Sequence, residues 1–379
     1  MSSNDGAPGR NLRYNWAMIS EPRLASRQHR RCRAAWQAGG LALVLVITTL
    51  AGCSPSGPGA AFERYLARLG RTLSVAPQDS MPSPTAPLPA PRQLHLDLAP
   101  GNLGPLDFLA LSGCAVQVTI GKRNSSLGRM ARASQRLLLD LEYLRLAPAC
   151  VELQREQGET ALAATLQQAW AVKRQQLPAL VFNATLASSE YRAFWKSPPA
   201  PGDYPANTSS AVITSLAAIN GHVRRWLAGD FQANNRDFEL LLADVTSGDG
   251  GALWQALAAQ SGALAGANRM LQQRMDRGPL CAPGLRPEAA DILANVVRKY
   301  FIAGIQPRAA ALNRRYHELL PPITELEALL EKALPPAYQT WRQQRDEQLA
   351  ALTRAPREHV TQLQTIQQAC GTNPMPAAP

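Results

Sequence analysis

Two polar clusters carry the side-chain types that could recognise or cleave a ligand. The first is Arg123-Asn124-Ser125-Ser126, in a turn between apolar stretches. A guanidinium there supplies an anion contact, and Asn124 and Ser125 supply short donors and acceptors. The second is the compact aromatic group Asn183, Glu190, Tyr191 and Trp195. Brought together, the two clusters would form one ligand pocket, with Arg123, Asn124 and Ser125 facing Asn183, Glu190, Tyr191 and Trp195. Glu190 against an aromatic wall has the type of a general acid for glycan cleavage, but the second carboxylate that such chemistry uses is not identified. A competing reading is structural. In it Asn124 and Ser125 satisfy backbone groups at a helix end, and Arg123 reaches a carboxylate such as Glu142.

Other residue types exclude several classes. His29, His95, His222, His317 and His359 fall in no metal-ligand spacing. His359 follows Glu358 and reads as one half of a solvated pair. There is no G-x-S-x-G elbow and no Walker loop. Gly248-Asp249-Gly250-Gly251 is too short and too poor in ligands for a calcium loop. No metal and no cofactor is expected, and the balance leans away from an enzyme.

A third stretch defines covalent chemistry. Ala38–Leu50 is apolar and short, and Leu50-Ala51-Gly52-Cys53 follows it. Seven arginines precede Cys53, the last being Arg33. A spanning helix needs about 20 residues, so this core is too short. A basic region, a short apolar core and small residues before a cleavage site make a secretory signal. Leu50–Cys53 resembles the bacterial lipobox, in which the cysteine thiol takes a diacylglycerol and becomes the acylated N-terminus. That implies a removed signal peptide over 1–52, lipidation (palmitate among the chains) at Cys53 and a membrane anchor. Each buried methylene of such chains contributes about 0.8 kcal/mol. Ser54, where Asp would retain the chain at the inner membrane, resembles outer-membrane sorting signals. The expected place is the inner leaflet of the outer membrane, facing the periplasm, with the inner membrane as the lesser alternative. Met18 offers a start alternative to Met1, with a more ordinary basic region.

Residues 1–52 hold seven Arg and two acidic residues, which leaves 32 basic and 26 acidic side chains after Cys53, a net of +6. That is mildly basic and not the footprint of a nucleic-acid binder. Cys114, Cys150, Cys281 and Cys370 remain after Cys32 and Cys53 are assigned. None forms a CxxC pair, and four thiols in an oxidising compartment suggest two disulfides, with three connectivities open. Cys281 precedes a long helical pattern and Cys370 ends the last one. Folded antiparallel, these segments bring the two cysteines together, which favours Cys281–Cys370 and leaves Cys114–Cys150. The second pair is strained by the predicted elements. In a hairpin of helices 104–121 and 134–147, Cys114 lies about 10 Å from the turn and Cys150 about 24 Å. The chain after Pro148 must then bend back, or the pairing fails.

The elements that position these residues all read as helices. Ala, Leu, Gln and Arg dominate, and no run alternates as strands do. The expected fold is all-α, a multi-helix bundle of antiparallel helical hairpins with a long C-terminal hairpin. After residues 53–60, a short tether from Cys53, an N-terminal helical region spans 61–205. A C-terminal helical region, 206–370, packs on it, and 371–379 is a disordered tail. Phe62, Tyr65, Leu66, Leu69 and Leu73 open the first helix. Val75–Pro91 is Pro-rich and extended. Gly104–Ile120, with one charge, reads as a buried central helix. Val151–Gln176 is helical and interrupted at Pro178. Asp230 is the expected cap of a helix over Phe231–Val245. Pro307 kinks a helix or starts a new one, and Pro321-Pro322 and Pro335-Pro336 bracket a short helix. Arg286, Arg298, Lys299, Arg308, Arg314 and Arg315 read as a solvated face.

Leu106-Asp107-Phe108-Leu109 with Cys114, the Arg123–Gly128 turn, Ser134-Gln135-Arg136-Leu137, Leu177-Pro178 and Asn183-Ala184-Thr185 form a set. The set resembles a proteobacterial family of predicted lipoproteins, domain of unknown function 3080, over nearly all of the chain after Cys53. The resemblance implies a lipoprotein and brings no activity, cofactor or catalytic residue with it. The expected function is that of a lipid-anchored envelope protein, a non-enzymatic binding or assembly module for a protein or cell-wall partner such as peptidoglycan. The alternative is a periplasmic glycan- or peptidoglycan-processing hydrolase using Glu190.

Overall fold

The computed structural model describes residues 59–78, 81–99, 104–196, 198 and 204–371. The signal segment, Cys53, nearly all of the tether and residues 372–379 lie outside this set. All regular elements among the described residues are helices, apart from one isolated bridge, Ala282 to Leu285.

Helix α1, Ala60–Leu73, buries the predicted stripe of Phe62, Tyr65, Leu66, Leu69 and Leu73. A Pro-rich strap follows and contains the short α2, Pro91–Leu94. The strap lacks many backbone donors, and side chains of the body hold it instead. Trp341 Nε1 donates to the Ala86 carbonyl at 3.1 Å, and Arg192 donates to the Pro89 carbonyl at 2.7 Å.

The segment read as one buried helix, Gly104–Ile120, is split between two short ones, and the polar turn after it carries a third. These are α3, Pro105–Ala110, α4, Ala115–Asn124, and α5, Ser126–Met130. Gly113, at φ 90°, breaks the run between α3 and α4. Leu109 and Val118 are exposed, so this apolar segment is a peripheral layer and not a central helix.

Helices α6, Ala133–Glu156, and α7, Thr160–Ala184, form an antiparallel hairpin about Gly158. Both run through a proline, Pro148 and Pro178. An interior proline costs about 3 kcal/mol through its lost hydrogen bond and ring clash. Here Leu144, Ala147, Cys150 and Val151 are buried around Pro148, and Leu177, Leu180 and Val181 around Pro178, and they hold the helices intact. The same holds for Pro321 and Pro322, where the predicted break is absent.

The remaining helices are α8, Ser189–Lys196, α9, Ala211–Ala228, α10, Asn235–Thr246, and α11, Gly250–Met275. They are followed by α12, Glu288–Val296, α13, Gln306–Leu329, and α14, Pro336–Gln368. A π-helical turn, Val297–Ile302, follows α12, and Pro307 sits in the first turn of α13. Asn234, not Asp230, caps α10, its side chain accepting from Arg236 N at 2.9 Å and Asp237 N at 3.3 Å. Gly248 and Gly250 let Phe194 lie against the start of α11, where a Cβ would come within 2.5 Å and 2.2 Å of its ring.

Three apolar clusters fill the body. The largest joins α6–α11, α13 and the first half of α14, and so takes residues from both sides of Pro205. A second joins α1, the last half of α11, α12 and the last half of α14. A third lies under α4, against α6 and α7.

Cys281 is bonded to Cys370 and Cys114 to Cys150, with Cα separations of 5.0 Å and 5.4 Å. The expected bend after Pro148 is absent. The turn lies at Ala131-Arg132 and not at 121–133, because the chain continues through α4 and α5. Cys114 and Cys150 are then nearly equally far from that turn.

Candidate functional site

The structure divides the predicted pocket among separate places. Ser125 is an N-cap. It accepts from Gly128 N at 3.0 Å and donates to the Lys122 carbonyl at 2.7 Å. A Cβ on Gly128 would meet the Lys122 carbonyl at 2.1 Å, so glycine is required for α5 to fold back on α4. Arg123 turns inward, its Nε 4.0 Å from Asp140, and Lys173 reaches the same carboxylate at 2.5 Å. The partner of Arg123 is thus Asp140 and not Glu142. Burial, reinforced by Asp140, pushes the neighbouring Tyr143 phenol up to about 12. Asn124 is exposed at the helix end.

On the other wall, Asn183 is committed to the strap. Its side chain accepts from Leu96 N at 3.0 Å and donates to the Leu96 carbonyl at 2.8 Å. Tyr191 and Trp195 are core residues. The Tyr191 and Tyr338 hydroxyls are 2.9 Å apart. Burial pushes the Tyr191 hydroxyl well above its ordinary range. Only Glu190 keeps partial access, with Arg132 at 3.7 Å and the Ser189 hydroxyl donating at 2.9 Å. The single pocket is therefore a correction. Helical periodicity turns Arg123, Tyr191 and Trp195 inward, and the strap occupies Asn183.

Surface recesses lie at three places around the clusters described above. One of about 530 Å³ lies between α5, α6 and the loop before α10, lined by Lys122, Ser125, Leu127, Leu138, Arg145 and Phe231 among others. A second, about 580 Å³, is lined by Arg92, His95, Arg132, Asn183, Ser188 and Glu190 among others. Glu190 is the one carboxylate in its described lining. The third, about 660 Å³, lies where α13 meets α14 and includes Glu327, Glu331, Arg342 and Asp346.

Beneath this third recess is a charged centre that the sequence reading missed. Arg345 and Glu327 are 0% and 1% exposed. Two guanidinium nitrogens donate to the two Glu327 oxygens at 2.6 Å and 2.9 Å. Tyr338 donates to Glu327 at 2.6 Å, and the Arg345 guanidinium lies over the Trp195 and Trp341 rings at 5.5 Å and 5.1 Å. Burial pulls the Arg345 pKa down, but the Glu327 bonds outweigh it and hold the group well above its ordinary value. The signal was present. Tyr338, Trp341, Arg345, Leu349 and Leu352 are one helical stripe, with a cation standing at an apolar position.

Two more polar groups correct the sequence reading. Arg315, expected on a solvated face, is 3% exposed and donates to both Asp249 oxygens at 2.6 Å and 3.0 Å. Tyr204 also donates to Asp249, which ties the proline loop to α11 and α13. His359 is not solvated but fully buried, between Tyr65 and Asn268. Its Nδ1–H donates to the Asn268 side-chain Oδ1 at 2.5 Å, which leaves Nε2 to accept from the Tyr65 hydroxyl at 2.7 Å. Burial pushes the imidazole down to about 3. It stands on the stripe Leu352, Ala355, His359, Leu363 and Ile366, while Glu358 faces solvent.

Among the described residues, no cluster of His, Cys, Asp and Glu is arranged to hold a metal ion. No helix of this set is long and apolar enough to cross a membrane. Fold and site thus define an all-helical protein with two disulfides, whose buried charges are bonded to one another. The chain belongs to the family described as protein of unknown function (DUF3080), which it matches over residues 62–374. No curated protein and no solved structure matches it.

Proposed function

We propose that the chain is a lipid-anchored envelope protein, held by Cys53 and facing the periplasm, that works as a binding or assembly module for a protein or cell-wall partner. The observation that carries the reading is the division of polar chemistry in the body. The buried ionisable groups Asp140, Arg315, Glu327, Arg345 and His359 are all engaged in bracing. The recess between α5 and α6 is different. It combines apolar Leu138, Leu139 and Phe231 with the charged Lys122, Glu142 and Arg145. An apolar lining with a few placed polar groups is the usual make-up of a recognition site. The basic region before Cys53 and the short apolar core support the anchor.

Two experiments test the reading. Cys53→Ser is expected to abolish palmitate labelling and release the chain from washed envelopes; unchanged envelope retention contradicts the anchor. A photo-crosslinker at Leu138 is expected to give a discrete adduct that one at the exposed Leu240 does not. Equal, diffuse adducts from both contradict the recess.

The hydrolase alternative rests on Glu190 alone, since its recess offers no second carboxylate among the described residues. Parent and Glu190→Gln proteins incubated with peptidoglycan are expected to give the same products. A product lost in the variant would restore the enzyme reading.

A further inference from the structure

The α3–α5 layer combines two properties that the rest of the described surface does not share. Of the eight exposed large hydrophobic residues among the described residues, Leu109, Val118, Leu127 and Met130 fall within this one layer. Leu127 and Met130 are 86% and 87% exposed, almost as open as free side chains. From Phe108 to Leu139 the sequence contains no Asp or Glu, and it contains Lys122, Arg123, Arg129, Arg132 and Arg136. Arg123 turns in to Asp140, but Lys122, Arg129 and Arg132 are exposed. Lys122 and Arg129 make no ion pair among the described residues, and Arg132 has only Glu190, at 3.7 Å.

The layer is rigidly mounted. The Cys114–Cys150 bond fixes the start of α4 on α6. Gln117 donates to the Phe108 carbonyl at 3.0 Å, and the Phe108 ring lies over Gly121. Gly128 lets α5 fold against the end of α4, and Leu127 and Met130, three residues apart on α5, share one helix face with Arg129 beside it. A projecting apolar tip interleaved with cations, with Asp107 of α3 the one acid in the sequence of the layer, matches the boundary between lipid headgroups and acyl chains.

We propose that α3–α5 is a second membrane contact, which inserts Leu127 and Met130 at the surface of an anionic bilayer while Lys122, Arg129 and Arg132 meet phosphate groups. This deepens the anchored reading, on which it rests for bringing the chain to a bilayer. A lipid at Cys53 gives attachment alone. A rigid second contact fixes the orientation of the body and holds the recess bordered by Lys122 and Leu127 at the bilayer surface, where it meets a partner at that level.

The test uses the acylated protein in vesicles of phosphatidylethanolamine, with or without phosphatidylglycerol, that carry brominated acyl chains. Met130→Trp adds an emission that is expected to shift to the blue and to lose most of its intensity to bromine quenching when phosphatidylglycerol is present. Lys122→Glu with Arg129→Glu should abolish both changes, as should high salt. A control, Leu240→Trp on α10, should remain unquenched. Equal quenching of the two added tryptophans, or none at position 130, overturns the proposal. A blue shift at position 130 that needs added envelope proteins and shows no quenching overturns it in favour of a protein partner. Flotation of the same vesicles reports the anchor separately. A chain that proves unacylated is assayed with excess lipid, so either claim fails on its own.

Discussion

The meeting of α13 with α14 and the α3–α5 layer use the same residue types to opposite ends. At α13–α14 an arginine lies under two tryptophans and is bonded through both forks to a buried glutamate. At α3–α5 lysine and arginine stand in solvent beside leucine and methionine. In the first place charge is removed from water, and its desolvation is offset only by complete hydrogen bonding. In the second it remains hydrated and available. The contrast separates residues that hold the body together from residues free to meet something else.

The largest expected effect breaks the buried member of this pair. Arg345→Met leaves Glu327 charged, buried and without its main partner, and a broken buried pair costs about 3–5 kcal/mol. A clear fall in the urea midpoint is expected, with partial recovery when Glu327→Gln is added. A surface-like change of a few tenths would show that the pair is dispensable. Next, loss of the Cys281–Cys370 bond through paired serines should cost about 2–4 kcal/mol, read as a lower Tm than the parent under oxidising conditions.

The third effect concerns pH. Folded His359 is held near 3 against an ordinary value of 6.5, so between these limits the unfolded chain binds the extra proton. Stability is therefore full above pH 6.5 and falls as the pH drops toward 3, at up to about 1.4 kcal/mol per unit. His359→Gln lacks this linkage, so the stability gap between parent and variant should narrow on acidification. A gap that does not change with pH would contradict a neutral buried ring. The smallest effect sharpens the exposed side. Met130→Asp should change stability by no more than about 0.5 kcal/mol, measured by thermal unfolding, while abolishing vesicle contact by the α5 tip.

Much of the fold was legible because long amphipathic helices write their buried face into the spacing of residues. The stripe from Phe62 to Leu73 and the return of Cys370 to Cys281 are read directly from it. Helix ends were less legible. Pro148, Pro178, Pro321 and Pro322 look like stops, yet tertiary burial carries the helices through them. Conversely, Gly104–Ile120 is apolar enough to look central, and only its three-dimensional setting shows it as an outer layer. The candidate site was the least legible part. Arg123, Tyr191 and Trp195 have the side chains of a pocket, but the faces on which they lie point inward. Arg345 and His359 were readable as polar residues at apolar stripe positions, a signal that side-chain type alone had masked.

The central claim is that this body is tied to a membrane through one acylated thiol. Intact-mass and N-terminal peptide mass spectrometry of the protein purified from envelopes tests it most directly. The account predicts a chain that begins at Cys53, with residues 1–52 absent and the mass raised by acyl groups on that residue. An N-terminus elsewhere, or an unmodified Cys53, would contradict it.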